Sequence, residues 1–286
     1  MSRTAVMVCQ GRAAADGRLA PGRFADPTAM TLLDPDDRGP VRQVRDEAPP
    51  GPWKERVDYE TVRASAELIV PRTVAIDDAV RAHPAPQLVI LGAGLDGRAW
   101  RMPELAGTAV FEVDRPDTQF DKRTRAAALS GRPPVYVPVD FAHDRLREAL
   151  PAAGHDPAVP TTWIWEGVIA YLTEAQVRAT LADVADRSAP GTRLIVNYQV
   201  PAVSTGVGRL LARLLVASTG RRSVWSREPW RSTWTPASMA ALLSGHGFTV
   251  AADEDHLTTA RALGTPTRHA RSLRNGRVTV ADRISG

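Results

Sequence analysis

LVILGAGLDG, residues 88–97, is an apolar run followed directly by three glycines in G-x-G-x-x-G spacing. The run 87–91 predicts a buried strand, and the glycines predict a tight turn where backbone approaches a ligand that a Cβ would meet. About twenty residues later a second apolar run ends in Glu112-Val113-Asp114, where a carboxylate can accept hydrogen bonds from the ribose hydroxyls of an adenosine. This combination fits two cofactors, a dinucleotide or S-adenosylmethionine.

Strands and helices alternate after this turn. Apolar runs predict strands at 87–91, 109–113, 135–139, 162–165 and 193–197, and later at 248–252 and 277–281. Helical patterns lie between them at 116–129, 144–150, 174–187 and 236–245. The alternation predicts an α/β, Rossmann-like fold with a seven-stranded, mostly parallel sheet covered by helices on both faces.

Two segments depart from this alternation. Residues 1–86 predict an N-terminal cap of helices and loops, with short helical pieces such as 27–33 before residue 56, a loop over 35–52, and a helix over 57–80 interrupted at Pro71. Residues 199–235 interrupt the later part, so we predict a lid insert after the fifth strand within a second domain, 87–286.

Composition narrows the class of protein. The 286 residues are 43% hydrophobic and 24% charged, as in globular proteins, and the one cysteine excludes an intrachain disulfide. No apolar run approaches the ~20 residues of a membrane span, so we expect a cytoplasmic protein without a membrane partner. The net charge is +4, but acidic residues are interspersed and no nucleic-acid motif occurs, so we expect no nucleic-acid partner. We expect no metal.

The helix after the glycines distinguishes the two cofactors. A dinucleotide site directs the N-terminus of a long helix at a pyrophosphate, but here Pro103 follows within two turns. Residues 98–101, RAWR, also lack a smooth face of small residues. Because S-adenosylmethionine has no phosphate, a short helix suits it, and we favour this cofactor. An NAD-dependent oxidoreductase is the alternative, and a ligand-binding protein without catalysis is a third.

Several motifs in order resemble the leucine carboxyl methyltransferase family. They are LGAGLDGRAWRM (91–102), FEVDRPDTQFDKR (111–123) and WIWEGVIAYLTEAQV (163–177), with PRTVAIDDAV (71–80) upstream and APGTRLIVNYQ (189–199) downstream. The resemblance covers about residues 24–200 and implies an S-adenosylmethionine-dependent methyltransferase of the bacterial small-molecule branch. One departure is Gly97, where the family usually has threonine.

The resemblance also implies roles for matching residues. Arg72 would pair with the methionine carboxylate of the cofactor, Gly92 and Gly94 would bring backbone to its methionine part, and Glu166 would approach its ammonium or the substrate. Asp114 would hold the ribose, with Glu112 as the less favoured holder, while Asp140 and Phe141 would meet the adenine. The family has a basic residue near its N-terminus at the cofactor, and Arg18 and Arg23 are both candidates.

The insert is expected to form the acceptor pocket, because it follows a strand at the carboxyl edge of the sheet. Its arginines and tryptophans suit an anion between flat apolar walls, and we select Tyr198, Arg221, Arg222 and Trp225 as substrate contacts. A carboxylate acceptor is ionised at pH 7 and needs no base, which favours O-methylation of a small-molecule carboxylate. A phenol or alcohol would need a base, for which His143 and Tyr171 are the candidates. We expect a monomer or a homodimer.

Overall fold

The chain was analysed as a computed structural model that describes residues 1–141, 143–201 and 231–283. The helices are α1 Arg3–Ala15, α2 Ala29–Leu32, α3 Arg38–Arg45, α4 Trp53–Arg81, α5 Arg98–Arg101, α6 Pro116–Ala126, α7 Leu146–Ala152, α8 Glu174–Asp186, α9 Pro236–Ser244, α10 His256–Ala262 and α11 Ala270–Asn275. The strands are β1 Gln87–Leu91, β2 Ala109–Asp114, β3 Val135–Pro138, β4 Thr161–Trp165, β5 Thr192–Gln199, β6 Thr249–Asp255 and β7 Gly276–Arg283.

The strands form one seven-stranded sheet in the order β3-β2-β1-β4-β5-β7-β6. The first five strands pair with one another in parallel, and β7 runs antiparallel to both β5 and β6. In register, Leu91 lies between Val113 of β2 and Trp165 of β4. The residues that follow these three strands therefore meet at one edge of the sheet. The predicted mostly parallel, Rossmann-like fold is confirmed.

Each face of the sheet is covered by its own set of helices. One face packs Val89, Trp163 and Leu194 against α7, α8 and α9 in the largest apolar cluster. The opposite face packs Leu88 and Ile90 against α4. Because helices bury both faces of the sheet, side chains on both faces of the central strands are apolar. The sequences of these strands are therefore continuous hydrophobic runs.

The N-terminal region is more helical than predicted. α1 spans thirteen residues where only short pieces were expected, and α3 lies inside the predicted loop 35–52. α1 packs along α4 through small side chains: a Cβ on Gly11 would lie 2.6 Å from Ser65 Oγ. Alanine and glycine at such a contact give little hydrophobic periodicity, so the sequence pattern underestimates this helix.

The predicted interruption at Pro71 is wrong, because α4 is continuous from Trp53 to Arg81. Proline removes one helical N–H, but the buried neighbours Val70 and Val74 anchor both sides of it in the N-terminal apolar cluster. The C-terminal helices α10 and α11 were also not predicted. Among the helices that the structure describes, none is both long and apolar enough to cross a membrane.

Candidate cofactor site

The glycine-rich turn adopts backbone geometry that requires glycine at two positions. Gly92 and Gly94 have φ of +68° and +50°, in the left-handed region. A Cβ on Gly92 would lie 2.2 Å from Val168 Cγ2, in the segment after β4. The turn is closed by Gly92 N–H, which donates to the Val113 carbonyl at 2.7 Å. The backbone of β1 is thereby held close to the ends of β2 and β4.

The two acids at the end of β2 have different environments. Asp114 is half-buried and accepts hydrogen bonds from the backbone N–H of Gly94 at 2.6 Å and of Arg115 at 2.7 Å. Burial raises the pKa of the Asp114 carboxyl, although both hydrogen bonds oppose this shift. Glu112 is fully buried, and its carboxylate lies 2.5 Å from Lys122 Nζ. Asp114 is thus the acid at the turn, and Glu112 belongs to the interior.

Arg72 and Glu166 lie together at the end of β4. Arg72 Nε is 2.7 Å from Glu166 Oε1, but their geometry is not that of a hydrogen bond, and among the described residues Nε has no other partner. The second carboxylate oxygen accepts from Arg98 Nη1 at 2.9 Å. Burial alone would raise the pKa of Glu166, but the charges of Arg72 and Arg98 outweigh it and lower the pKa to about 2. Glu166 is therefore ionised at neutral pH.

Arg72 and Glu166 are part of a larger buried charge network beneath the glycine-rich turn. Its side chains are each at most 12% exposed, and it contains four arginines and four acids. The members are Arg12, Asp26, Arg72, Asp77, Asp96, Arg98, Arg101 and Glu166. The equal numbers of opposite charges matter because an unpaired buried charge is costly.

The N-terminal arginine at the turn is Arg12, which sequence reasoning missed. Its Nε donates to Asp26 at 2.8 Å, and its Nη2 donates to the Leu95 carbonyl. The two predicted candidates instead form exposed ion pairs, Arg18 with Glu47 and Arg23 with Asp78. Neither pair reaches the glycine-rich turn.

The departure at Gly97 has a structural counterpart in the N-terminal region. A Cβ on Gly97 would lie only 2.0 Å from Thr28 Oγ1 and 3.2 Å from Asp26 Oδ1. The Thr28 hydroxyl donates to Asp26 at 2.6 Å. A threonine hydroxyl thus lies against the turn after all, but it comes from residue 28, and the missing side chain at 97 provides the space for it.

The segments after β3 and β4 hold the remaining predicted residues. Asp140 is half-buried, and Phe141 is partly buried against the largest apolar cluster. His143 is exposed on the turn that follows, where its backbone N–H donates to the Asp140 carbonyl. Tyr171 ends a 3₁₀ turn after β4 and is half-buried. Contacts of these residues with the cofactor or the acceptor stay predictions.

The predicted substrate contacts are only partly described. Arg221, Arg222 and Trp225 lie outside the described residues. Tyr198 is 1% exposed, and its hydroxyl donates to Asp253 at 2.7 Å. The Tyr198 hydroxyl of β5 is therefore bound to Asp253 of β6, across β7, and is not open to solvent.

His256, at the start of α10, is a further buried group in this region that the sequence did not indicate. Asn197 Nδ2 donates to the Arg277 carbonyl at 3.0 Å and lies 3.2 Å from His256 Nε2. Because a carbonyl only accepts, the amide nitrogen faces the ring, and His256 Nε2 is the acceptor. Burial and then the charge of Arg72 lower the pKa of His256 to about 3, so it is neutral.

Known proteins of similar sequence identify the family of this chain. A family model described as leucine carboxyl methyltransferase matches residues 5–185, well over half of the chain. The chain belongs to the leucine carboxyl methyltransferase family. A Streptomyces coelicolor relative is 34% identical over 253 residues, covering 86% of this chain and 82% of the relative. A Frankia alni relative is 39% identical over 202 residues, covering 67% of this chain and 66% of the relative.

Both relatives are named as S-adenosylmethionine-dependent methyltransferases. This family member is accordingly an S-adenosylmethionine-dependent methyltransferase, and the choice between the two cofactors is resolved in favour of S-adenosylmethionine. Among solved structures, a Thermobifida fusca protein described as a methyltransferase has a TM-score of 0.54 at 16% identity, covering 97% of this chain and 94% of that one. That similarity concerns the fold.

Proposed function

We propose that this methyltransferase transfers the methyl group to a carboxylate oxygen of a small molecule, forming a methyl ester. The observation that carries the proposal is the double ion pair of Glu166, whose two oxygens lie 2.7 Å from Arg72 Nε and 2.9 Å from Arg98 Nη1. With its pKa lowered to about 2 by two arginines, this carboxylate is a poor proton acceptor at neutral pH. An acceptor that is already ionised, as a carboxylic acid is, needs no proton acceptor.

In this proposal the cofactor's amino-acid end separates Arg72 from Glu166. Its carboxylate would bind the guanidinium of Arg72, whose buried Nε has no hydrogen-bond partner among the described residues, and its ammonium would bind Glu166. Asp114 would hold the ribose hydroxyls near the glycine-rich turn. Because these groups are held at fixed positions on α4 and at the ends of β2 and β4, they would orient the reacting carbon toward the acceptor, and such orientation is worth up to ~7–11 kcal/mol. When bound, S-adenosylmethionine would supply a methyl carbon on a sulfonium sulfur. The acceptor oxygen would attack this carbon in line with the carbon–sulfur bond, and S-adenosylhomocysteine would be the leaving group.

Two described histidines are engaged in other contacts. His155 Nε2 lies 3.1 Å from Thr161 Oγ1, at the beginning of β4 and thus at the opposite end of that strand from Glu166. His256 Nε2 accepts from Asn197, and its pKa is lowered to about 3. Both features favour a reaction that does not depend on a histidine base. His143 and Tyr171 remain the candidates if the acceptor is a phenol.

A methyl-transfer screen tests this proposal. The purified protein is incubated with S-adenosylmethionine and matched pairs of carboxylic acids and phenols of similar size, and products are read by mass spectrometry. A methyl ester is cleaved by mild base and an aryl methyl ether is not, so one hydrolysis step separates the two classes. Base-stable products from phenols alone would contradict the carboxylate assignment. Cofactor binding without any product would favour the non-catalytic alternative.

The insert provides a second test once an acceptor is known. If Arg221 and Arg222 contact an anionic acceptor, replacing both with Ala raises its KM and lowers kcat/KM, while cofactor affinity stays unchanged. The matched control replaces Arg261 and Arg271, both exposed, which removes the same charge elsewhere. Equal kcat/KM in the two double variants would show that the acceptor's charge is recognised by other groups.

A further inference from the structure

Arg98 is the most enclosed arginine of the buried charge network, at 1% exposure. It follows the glycine-rich turn directly, yet its guanidinium points under the turn. Nε donates to Asp77 Oδ1 at 2.7 Å, and Nη1 donates to Glu166 Oε2 at 2.9 Å and to Asp96. One side chain therefore connects α4, the turn and the end of β4.

The two carboxylate oxygens of Glu166 have different partners. Arg98 Nη1 contacts Glu166 Oε2, and Glu166 Oε1 faces Arg72 Nε. A ligand that separates Arg72 from Glu166 could bind Oε1 of Glu166, while Oε2 would keep its contact with Arg98. Burial and two partners, Arg72 and Arg98, also favour one orientation of the Glu166 carboxylate.

We propose that Arg98 is a positioning residue, which acts through Glu166 to hold one carboxylate oxygen toward the ammonium of the cofactor. It touches neither cofactor nor acceptor. This inference rests on the placement of the cofactor's amino-acid end at Arg72 and Glu166. It predicts that Arg98 contributes to recognition of the amino-acid part and not to recognition of the nucleoside part.

Two ligands separate those contributions. S-adenosylhomocysteine carries the amino-acid part, and 5′-methylthioadenosine has the same nucleoside and sulfur without it. Calorimetry gives the ratio of their affinities for wild type and for Arg98→Gln. Loss of a charge-assisted hydrogen bond lowers the affinity for S-adenosylhomocysteine about ten- to hundredfold. The affinity for 5′-methylthioadenosine stays within about twofold of the wild-type value. The ratio of the S-adenosylhomocysteine affinity to the 5′-methylthioadenosine affinity therefore falls. Loss of both affinities by the same factor would overturn the proposal.

Arg101→Gln is the matched control. Arg101 lies in the same short helix, is 4% exposed at its side chain, and donates to the same Asp77 at 2.7 Å, while the described contacts join it to Asp77, Asp26 and Ala25 rather than to Glu166. We expect its ratio to equal that of wild type, and a fall as large as that of Arg98→Gln would show a general effect of the buried charge network. If Arg98→Gln fails to fold, Arg98→Gln with Asp77→Asn removes one charge of each sign, and the same fall is expected.

The same measurements separate this inference from its premises. Wild-type protein that binds both ligands equally would contradict the placement of the amino-acid end at Arg72 and Glu166. A wild-type preference that survives in Arg98→Gln contradicts only the positioning role. The identity of the methyl acceptor affects neither result, because no acceptor is present.

Discussion

Replacing Gly97 with Thr should destabilise this protein strongly, and its effect should be less than additive with the removal of Thr28. The new Cβ would lie 2.0 Å from Thr28 Oγ1, so the Thr28 side chain has to move. Overpacking typically costs about 1–3 kcal/mol. Displacing Thr28 also breaks its hydrogen bond to the Asp26 carboxylate, worth about 1.5–3 kcal/mol. We expect Gly97→Thr to lower the free energy of unfolding by about 3–5 kcal/mol.

The double variant Gly97→Thr with Thr28→Gly restores the space and places a hydroxyl near Asp26 again. Its loss of stability should therefore be smaller than the sum of the single losses, by about 1–3 kcal/mol. Urea unfolding followed by tryptophan fluorescence measures all three variants. Gly107→Thr is the control, because no atom lies within 4 Å of its added Cβ, and we expect a change within about 0.5 kcal/mol. Additive single effects, within about 0.5 kcal/mol, would refute the packing argument.

Two further predictions concern the cofactor residues. Asp114→Ala should weaken binding of S-adenosylhomocysteine by about 1–3 kcal/mol, because the ribose hydroxyls lose their acceptor. Glu112→Gln, which alters the buried pair with Lys122, should affect stability more than affinity. If calorimetry shows wild-type affinity for a folded Asp114→Ala variant, Asp114 does not belong to the site. The pKa of Glu166 is lowered from 4.5 to about 2, so its ion pairs stabilise the folded protein above pH 4.5 and are lost as the pH falls toward 2. Acid unfolding of Glu166→Gln should therefore depend less steeply on pH between 4.5 and 2 than that of wild type, and identical slopes would contradict the assigned ion pairs.

The sheet was predictable because its signals are local. β1 begins and ends at the predicted residues 87 and 91, and the other strands differ from prediction by a few residues. Glycines at fixed spacing after an apolar run specify a turn without reference to the rest of the chain. Asp114 was likewise predictable, because its position at the end of β2 follows from that strand alone.

The residues that support the site were not predictable in the same way. Arg12 is one of 34 arginines, and nothing in its neighbours distinguishes it from Arg18 or Arg23. What distinguishes it is that α1 packs on α4 and brings it to the Leu95 carbonyl. Small-residue packing of this kind carries little periodicity, so neither the helix nor the arginine is evident from the sequence.

The charge balance of the buried charge network connects fold and function. Arg72 and Glu166 pair directly with each other, so neither charge is left unpaired in the interior. A ligand of net charge at this point would upset the balance of four arginines and four acids. A zwitterionic amino-acid group would not, because in the proposed placement its carboxylate would replace Glu166 at Arg72 and its ammonium would replace Arg72 at Glu166. The amino-acid group would therefore enter the network without a net gain of charge there, and the positive sulfonium of S-adenosylmethionine is a separate charge of the cofactor. This constraint on ligand charge arises from residues that are far apart in sequence.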